Sequence, residues 1–297
     1  MPSSIFNSYP MPIIVGSPRS GTTMLRLMLD THSELAIPPE TGFLTLSEKI
    51  KGRSDTLRQN FFHAVINYSQ SMPSWPDFEI PEDTFWEALT QITPFSLPDG
   101  YRAFYQLYAA RYKKPRWGDK TPIYCRHLNQ IRRVLPESRF IHIIRDGRDA
   151  ALSLRRMWFS PGWDIETQAS YWRDSVLAAR RAGIGHDDYL EVRYEELVLN
   201  TRRALERVCT HAALTFEDAM LSYHLRAHER LKEHKGRWLA NGTLFLTQEQ
   251  RFEQQRRTTK SPDPKCVFAW KQTMNREERK RFQVVAGDLL SELGYEV

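Results

Sequence analysis

The sequence predicts an α/β fold, a mostly parallel central sheet flanked by helices, and three observations predict it. An apolar strand, Ile13–Val15, runs through a glycine-bounded loop into an apolar helix. A second apolar run, Phe140–Ile144, is broken only by His142, as suits a strand buried on both faces. Along the rest of the chain strand signals alternate with helical spacings, the pattern of a sheet whose strands are joined by helices. In such folds a ligand sits beyond the carboxyl ends of the strands, where the strand order reverses.

The first β-α unit is Ile13–Val15, the loop "GSPRSG", and a helix over about Thr22–Leu29 that ends at the turn-forming "DTHSEL". Gly16 and Gly21 stand where G-x-x-x-x-G-K-[ST] has its glycines, so the frame is of the P-loop type. Thr22 replaces the lysine, and Arg19 supplies a cation inside the loop. Leu35–Ile37 makes a short second strand, held extended by Pro38-Pro39. A helical, aromatic stretch follows over about 44–117, punctuated by Pro73, Pro76, Pro81, Pro94 and Pro98, and reads as an inserted helical region. Its Trp75, Trp86, Tyr101, Tyr105 and Tyr108 are expected to be mostly packing, with some free to line a pocket.

Phe140–Ile144 returns to the sheet, Asp146-Gly147 turns the chain, and a helix runs from Asp149. Tyr189–Val192 is the next strand, followed by a helix over about Thr201–Ala212. The last helix spans about Arg276–Leu293, with Phe282, Val285, Leu289, Leu290 and Leu293 at helical spacing, and Gly294 ends it. No repeat or low-complexity tract interrupts the chain, so residues 1–297 read as one domain.

Composition narrows the function classes. A chain of 297 residues, 41% apolar and 26% charged, can bury a sizeable core. The net charge is +6, and five Arg-Arg pairs (at 132, 155, 180, 202 and 256) are spread along the chain. They serve either as solvated helix faces or as a field for an anionic ligand. Cys125, Cys209 and Cys266 form no C-x-x-C, which argues against a disulfide framework and for a reducing compartment. The N-terminal "MPSSIFNSYPMP" lacks the regions of a signal peptide, and no run approaches the ~18 apolar residues of a membrane span, so a cytoplasmic protein is expected. His224, His228 and His234 lack the Cys or Glu that completes a zinc signature; they are read as surface histidines, and no metal is expected. No RNP, zinc-finger or helix-turn-helix pattern accompanies the arginines, so no nucleic-acid partner is expected either.

The candidate chemistry falls at the carboxyl ends of the strands. Ser17, Pro18, Arg19, Ser20, Gly21, Thr22 and Thr23 form a loop whose N–H groups, with the helix dipole behind them, suit an anion. With no loop lysine, that anion should be smaller or less charged than a triphosphate. Glu40, just past the two prolines, is expected beside the loop on the same edge of the sheet. Lys120 in "RWGDKTP" precedes Thr121, a good N-cap, and Pro122, a good first helical residue. A cation there opposes the helix dipole unless an anion compensates. Arg145 follows a buried strand directly and needs an anion or a carboxylate beyond the sheet edge; Ser153 lies eight residues on. The rival reading makes Asp146 the magnesium-binding acid of a P-loop kinase or NTPase, against which Arg145 and the missing lysine both weigh.

"VGSPRSGTTMLRLML" resembles the 5′-phosphosulfate loop of sulfotransferases that use 3′-phosphoadenosine 5′-phosphosulfate (PAPS), in the form with Arg seen in bacterial members and tyrosylprotein sulfotransferases. The likeness extends over most of the chain. "PPETGF" is similar to the segment holding the family's catalytic glutamate, which implies Glu40 as base, and "RWGDKTP" to the segment holding the catalytic lysine, which implies Lys120. "IIRDGRDAALS" resembles the 3′-phosphate strand and helix, implying Arg145 and Ser153, and "LEVRYEELVLN" the strand whose tyrosine contacts the nucleotide, implying Tyr194. "RTTKSPDPKCVFAWKQTMN" is similar to the segment that closes over the nucleotide but lacks the glycine-rich R-K-G-x-x-G, leaving Thr259, Lys260, Trp270 and Lys271 as candidates within a closing segment of about 225–270.

The resemblance implies in-line transfer of a sulfuryl group from PAPS to an acceptor hydroxyl, leaving 3′-phosphoadenosine 5′-phosphate (PAP), without a metal. A small molecule or natural product is the expected acceptor, set by 44–117 and 225–260; glycan, lipid and peptide stay open, and a homodimer is admitted. The third class, a non-catalytic binder of nucleotide or nucleic acid, finds no motif.

Overall fold

The computed structural model describes residues 9–69 and 72–297. Residues 1–8 of the segment read for a leader fall outside them. Strand β1 (Met11–Val15) leads through the loop into helix α1 (Thr22–Asp30) and the two-residue strand β2 (Leu35–Ala36). Helices α2 (Ser54–Ile66), α3 (Glu82–Thr90) and α4 (Leu97–Ala110) occupy the region expected to be helical. Strands β3 (Arg116–Trp117) and β4 (Asp119–Lys120), helix α5 (Leu128–Val134) and strand β5 (Ser138–Ile144) follow. Next come α6 (Gly147–Leu154), α7 (Ile165–Gly183), β6 (Tyr189–Arg193), α8 (Tyr194–Leu199) and α9 (Thr201–His211). The remainder carries α10 (His224–Leu231), the hairpin of β7 (Arg237–Trp238) and β8 (Leu244–Leu246), α11 (Gln248–Gln255), α12 (Trp270–Thr273) and α13 (Arg276–Glu292). No helix among the described residues is long and apolar enough to cross a membrane.

The central sheet has the order β4–β1–β5–β6 and every pair in it is parallel. Chain order reverses around β1, so the loop that leaves β1 opens at the switch point. Period-two alternation splits the strand residues between two cores. Ile13 and Val15 pack with Phe140 against the aromatic helices of the 43–135 region. Ile14 packs with Ile141 and Ile143 against α1, α8 and α9. A third cluster joins Ile144 to α6, α7 and α13, with Trp172 and Phe282 at its centre.

Two expectations are corrected. The second strand does not join the central sheet: β2 pairs with β3 in a sheet of its own, Leu35 opposite Arg116 and Ala36 opposite Trp117. The reason lies at Gly118, where a Cβ would stand 2.7 Å from the Pro12 carbonyl oxygen. Only glycine allows the chain to hand over there from β2 to β1, so β3 and β4 are two halves of one bent segment. Lys120, in turn, lies on β4 opposite Ile14 and not at the head of an α-helix; Pro122–Arg126 makes only a 3-10 turn, and Thr121 caps nothing with its side chain.

Candidate functional site

The loop is shaped by two glycines that no other residue can replace without strain. Gly16 has a φ of 154° and Gly21 a φ of 97°; a Cβ on Gly16 would meet the Ile143 carbonyl oxygen at 2.5 Å, and one on Gly21 the Tyr194 ring at 2.5 Å. Arg19 itself sits at a φ of 69°. Helix α1 begins with no side-chain cap and no acid in its first turn, so its leading N–H groups stay available to an anion. Arg19 donates through Nε to Ser153 Oγ at 3.1 Å and through Nη2 to the Gln254 carbonyl at 3.3 Å. Burial, with Arg145 and Arg257 nearby, pushes its guanidinium below the ordinary value. A cation held under such conditions is a strong partner for any anion that enters.

Glu40 and Lys120 meet. Lys120 is buried on β4 and donates from Nζ to Glu40 Oε1 at 2.6 Å and to Thr23 Oγ1 at 3.4 Å. Burial lowers the affinity of its amine for a proton, and Glu40 acts in the opposite sense. The residues beside them are tied as well. Thr41 Oγ1 donates to Asp119 Oδ2 at 2.6 Å, Tyr105 Oη donates to the same oxygen at 2.7 Å, and Tyr124 Oη lies 2.7 Å from Thr41 Oγ1. Burial raises the Asp119 carboxyl above the usual range.

Arg145 extends from the end of β5 over the Tyr194 ring, 4.4 Å from its centroid, and donates to the carbonyls of Arg19 at 3.2 Å and Cys266 at 2.8 Å. Its Nε–H is buried with no partner among the described residues. A cavity of about 850 Å³ is lined by Pro18, Arg19, Gly21, Thr22, Thr23, Glu40, Lys120, Arg145, Ser153, Tyr194 and Lys260 among others. Ser17 and Ser20 of the loop are outside the cavity lining, both buried with unpartnered hydroxyls among the described residues. Thr259, Trp270 and Lys271 are outside the cavity lining. Trp270 packs under Arg148 and donates to Asp146 Oδ2 at 2.9 Å; Lys271 pairs at the surface with Glu296. Asp146, the acid that a magnesium-nucleotide site needs, spends both oxygens on Arg148 and Trp270.

A profile described as the sulfotransferase family matches residues 10–218. The chain belongs to that family. It is 27% identical to the nodulation protein NoeE of Sinorhizobium fredii, over 97% of this chain and 67% of that protein. It spans about half the length of the protein-tyrosine sulfotransferases it matches, 52% of the one from Caenorhabditis elegans at 23% identity. Among solved folds, the sulfotransferase domain of the Synechococcus PCC 7002 olefin synthase superposes with a TM-score of 0.59 at 21% identity, covering 96% of this chain and 98% of that one. A mouse sulfotransferase complexed with PAP gives 0.51 at 13% identity, covering 96% and 85%. The central parallel sheet with flanking helices is thus the sulfotransferase fold.

Several residues of this sulfotransferase-fold cavity are singled out by no sequence motif. Arg256 and Arg257, one of the five arginine pairs, line it, as do Trp158 and Phe159 from the segment after α6. His234, read as a surface histidine, is buried and lines the cavity with Arg237 and Arg251. Trp75, Tyr101, Tyr105 and Tyr108 pack in the core and Trp86 is half-buried outside it, while Tyr68 of the 44–117 region lines the cavity.

Proposed function

We propose that the protein transfers the sulfuryl group of PAPS to a hydroxyl of a small molecule or natural product, with Glu40 as general base. The observation that carries this reading is the meeting of Lys120 with Glu40 at 2.6 Å, beside the uncapped start of α1 and in the cavity that Arg19 and Arg145 line. As the acceptor oxygen attacks sulfur in line, Glu40 takes its proton. The bond from sulfur to the acceptor oxygen forms, the bond from sulfur to the 5′-phosphate oxygen breaks, and PAP leaves. Lys120 turns from Glu40 to the leaving oxygen as charge gathers there; a buried lysine gains most from such an anion. Little covalent chemistry falls to the protein, so positioning and electrostatics carry the rate.

The nucleotide assignment is supported residue by residue. The first-turn N–H groups of α1, with Arg19, suit the 5′-phosphosulfate. Arg145, whose Nε–H has no partner among the described residues, and Ser153 suit the 3′-phosphate, and Tyr194 backs both the loop and Arg145. Lys260, on the cavity wall, is assigned to the nucleotide as well. The mouse protein of the same fold that holds PAP supports this class of ligand. A sulfuryl group carries one negative charge where a γ-phosphoryl carries about two, so a loop with Thr22 in place of lysine suffices and no metal is required. A cytoplasmic location belongs to the same reading and rests on three free cysteines. The test is transfer from ³⁵S-labelled PAPS across acceptor classes, with calorimetry of PAP against magnesium-ATP. Binding of magnesium-ATP in preference to PAP would sink the reading.

A further inference from the structure

Beyond Glu40 the cavity wall holds a second charged group, built on Asp77. That carboxylate is fully buried and saturated. It accepts from Arg237 Nη2 at 2.8 Å, from Arg251 Nη1 and Nη2 at 2.8 Å each, and from the Lys235 N–H at 3.1 Å. One arginine would neutralise it; two leave a net positive charge on side chains only 12% and 13% exposed. An excess cation in so enclosed a place is costly until an anion joins it.

The donors are also in surplus. A guanidinium has five N–H groups. Arg237 commits its own to Asp77 and the Pro73 carbonyl, and Arg251 to Asp77 and the Lys235 carbonyl. Both side chains line the cavity. His234 is 7% exposed and lines the same cavity, with no ring nitrogen hydrogen-bonded among the described residues. Burial and the cations Arg251, Arg26, Lys120 and Arg237 hold its imidazole well below the usual value, hence neutral. An imidazole that lines the cavity and has no ring partner among the described residues is open to a hydrogen bond with a ligand. Glu40, the carboxylate assigned as base, lines the same cavity as Arg19, Arg237 and Arg251.

We propose that the acceptor is a hydroxy acid: Arg237 and Arg251 hold its carboxylate, His234 hydrogen-bonds it, and its hydroxyl is thereby brought to Glu40. The inference rests on the sulfotransferase reading and names its substrate class. The single excess charge matches one carboxylate, and the nucleotide's phosphates have Arg19 and Arg145 of their own.

The test uses the PAP-saturated protein and three matched pairs of probes: 6-hydroxyhexanoate, 4-hydroxyphenylacetate and 4-hydroxycinnamate, each against its methyl ester, by calorimetry. At least one acid should bind about tenfold or more tightly than its ester. That ratio should fall to within about threefold in Arg237→Gln, Arg251→Gln and His234→Phe. Ratios near one for every pair in the wild-type protein, which needs no variant, would overturn the proposal. So would an acid preference that persists in all folded variants, or no binding of any probe. A protein that fails to take up PAP fails the sulfotransferase reading; one that binds PAP and shows no acid preference fails only this one.

Discussion

Thr41 donates its hydroxyl proton to Asp119 across 2.6 Å, and these two residues are the chain neighbours of Glu40 and Lys120. The bond therefore sets the spacing of the proposed base and its cation from behind, through two peptide links. Tyr105 and Tyr124 complete the network, all of it buried. Thr41→Val removes the donor and leaves the carboxyl short of one partner. The cost should be about 1–3 kcal/mol of stability. Turnover should fall with little change in PAP affinity, because Glu40 loses its register while the loop keeps its own. Thermal melts with steady-state kinetics would show it; unchanged turnover in a destabilised protein would make the network structural only.

Glu40→Gln keeps the shape and removes the proton acceptor. Turnover should drop ~10²–10⁴-fold. PAP affinity should hold, since Glu40 touches Lys120 and none of the loop's donors. Lys120→Met should lower turnover as well, through the leaving oxygen. Wild-type turnover in Glu40→Gln at saturating acceptor would remove the base assignment.

The strand-loop-helix unit was legible because its signals are local: an apolar triplet, two glycines at fixed spacing and an apolar helix. Glu40 and Lys120 could be named from short motifs, yet their true supports could not. β2 and β4 are two residues each, and their pairing is decided by the bend at Gly118. No periodicity reports a two-residue strand. Trp270 was a nucleotide candidate through the closing-segment resemblance alone, but its indole is engaged by Asp146 and Arg148. Arg237 and Arg251 had no motif at all, because what joins them is Asp77, more than 150 residues away in sequence.

Gly21→Ala brings two penalties, the backbone at φ 97° and the Tyr194 ring at 2.5 Å from the new methyl. Gly185 separates them, since its φ is 89° and nothing stands within 4 Å. Gly185→Ala should lose about 1–3 kcal/mol of stability to backbone strain alone and bind PAP as before. Gly21→Ala should lose more, and should weaken PAP roughly tenfold or beyond as Tyr194 is driven against Arg145. Equal PAP affinities in the two variants would break the assignment of the loop to the nucleotide.

His142 supplies a pH signature remote from the cavity. Its imidazole is fully buried on β5, with Nδ1 2.6 Å from Tyr189 Oη and Nε2 unpartnered among the described residues. Burial, helped by Arg180 and Arg193, pushes it down to about 3 from an ordinary 6.5. Between those values the unfolded chain takes up a proton that the native protein refuses. The contribution of His142 to stability is therefore complete above pH ~6.5 and lost as the pH falls toward 3, with a slope of about 1.4 kcal/mol per pH unit. His142→Gln should start less stable at pH 8 and show a shallower decline between pH 6.5 and 5 than the wild-type protein. Denaturant titrations at half-unit steps would measure both slopes. Identical slopes would mean that the imidazole is protonated in the native state.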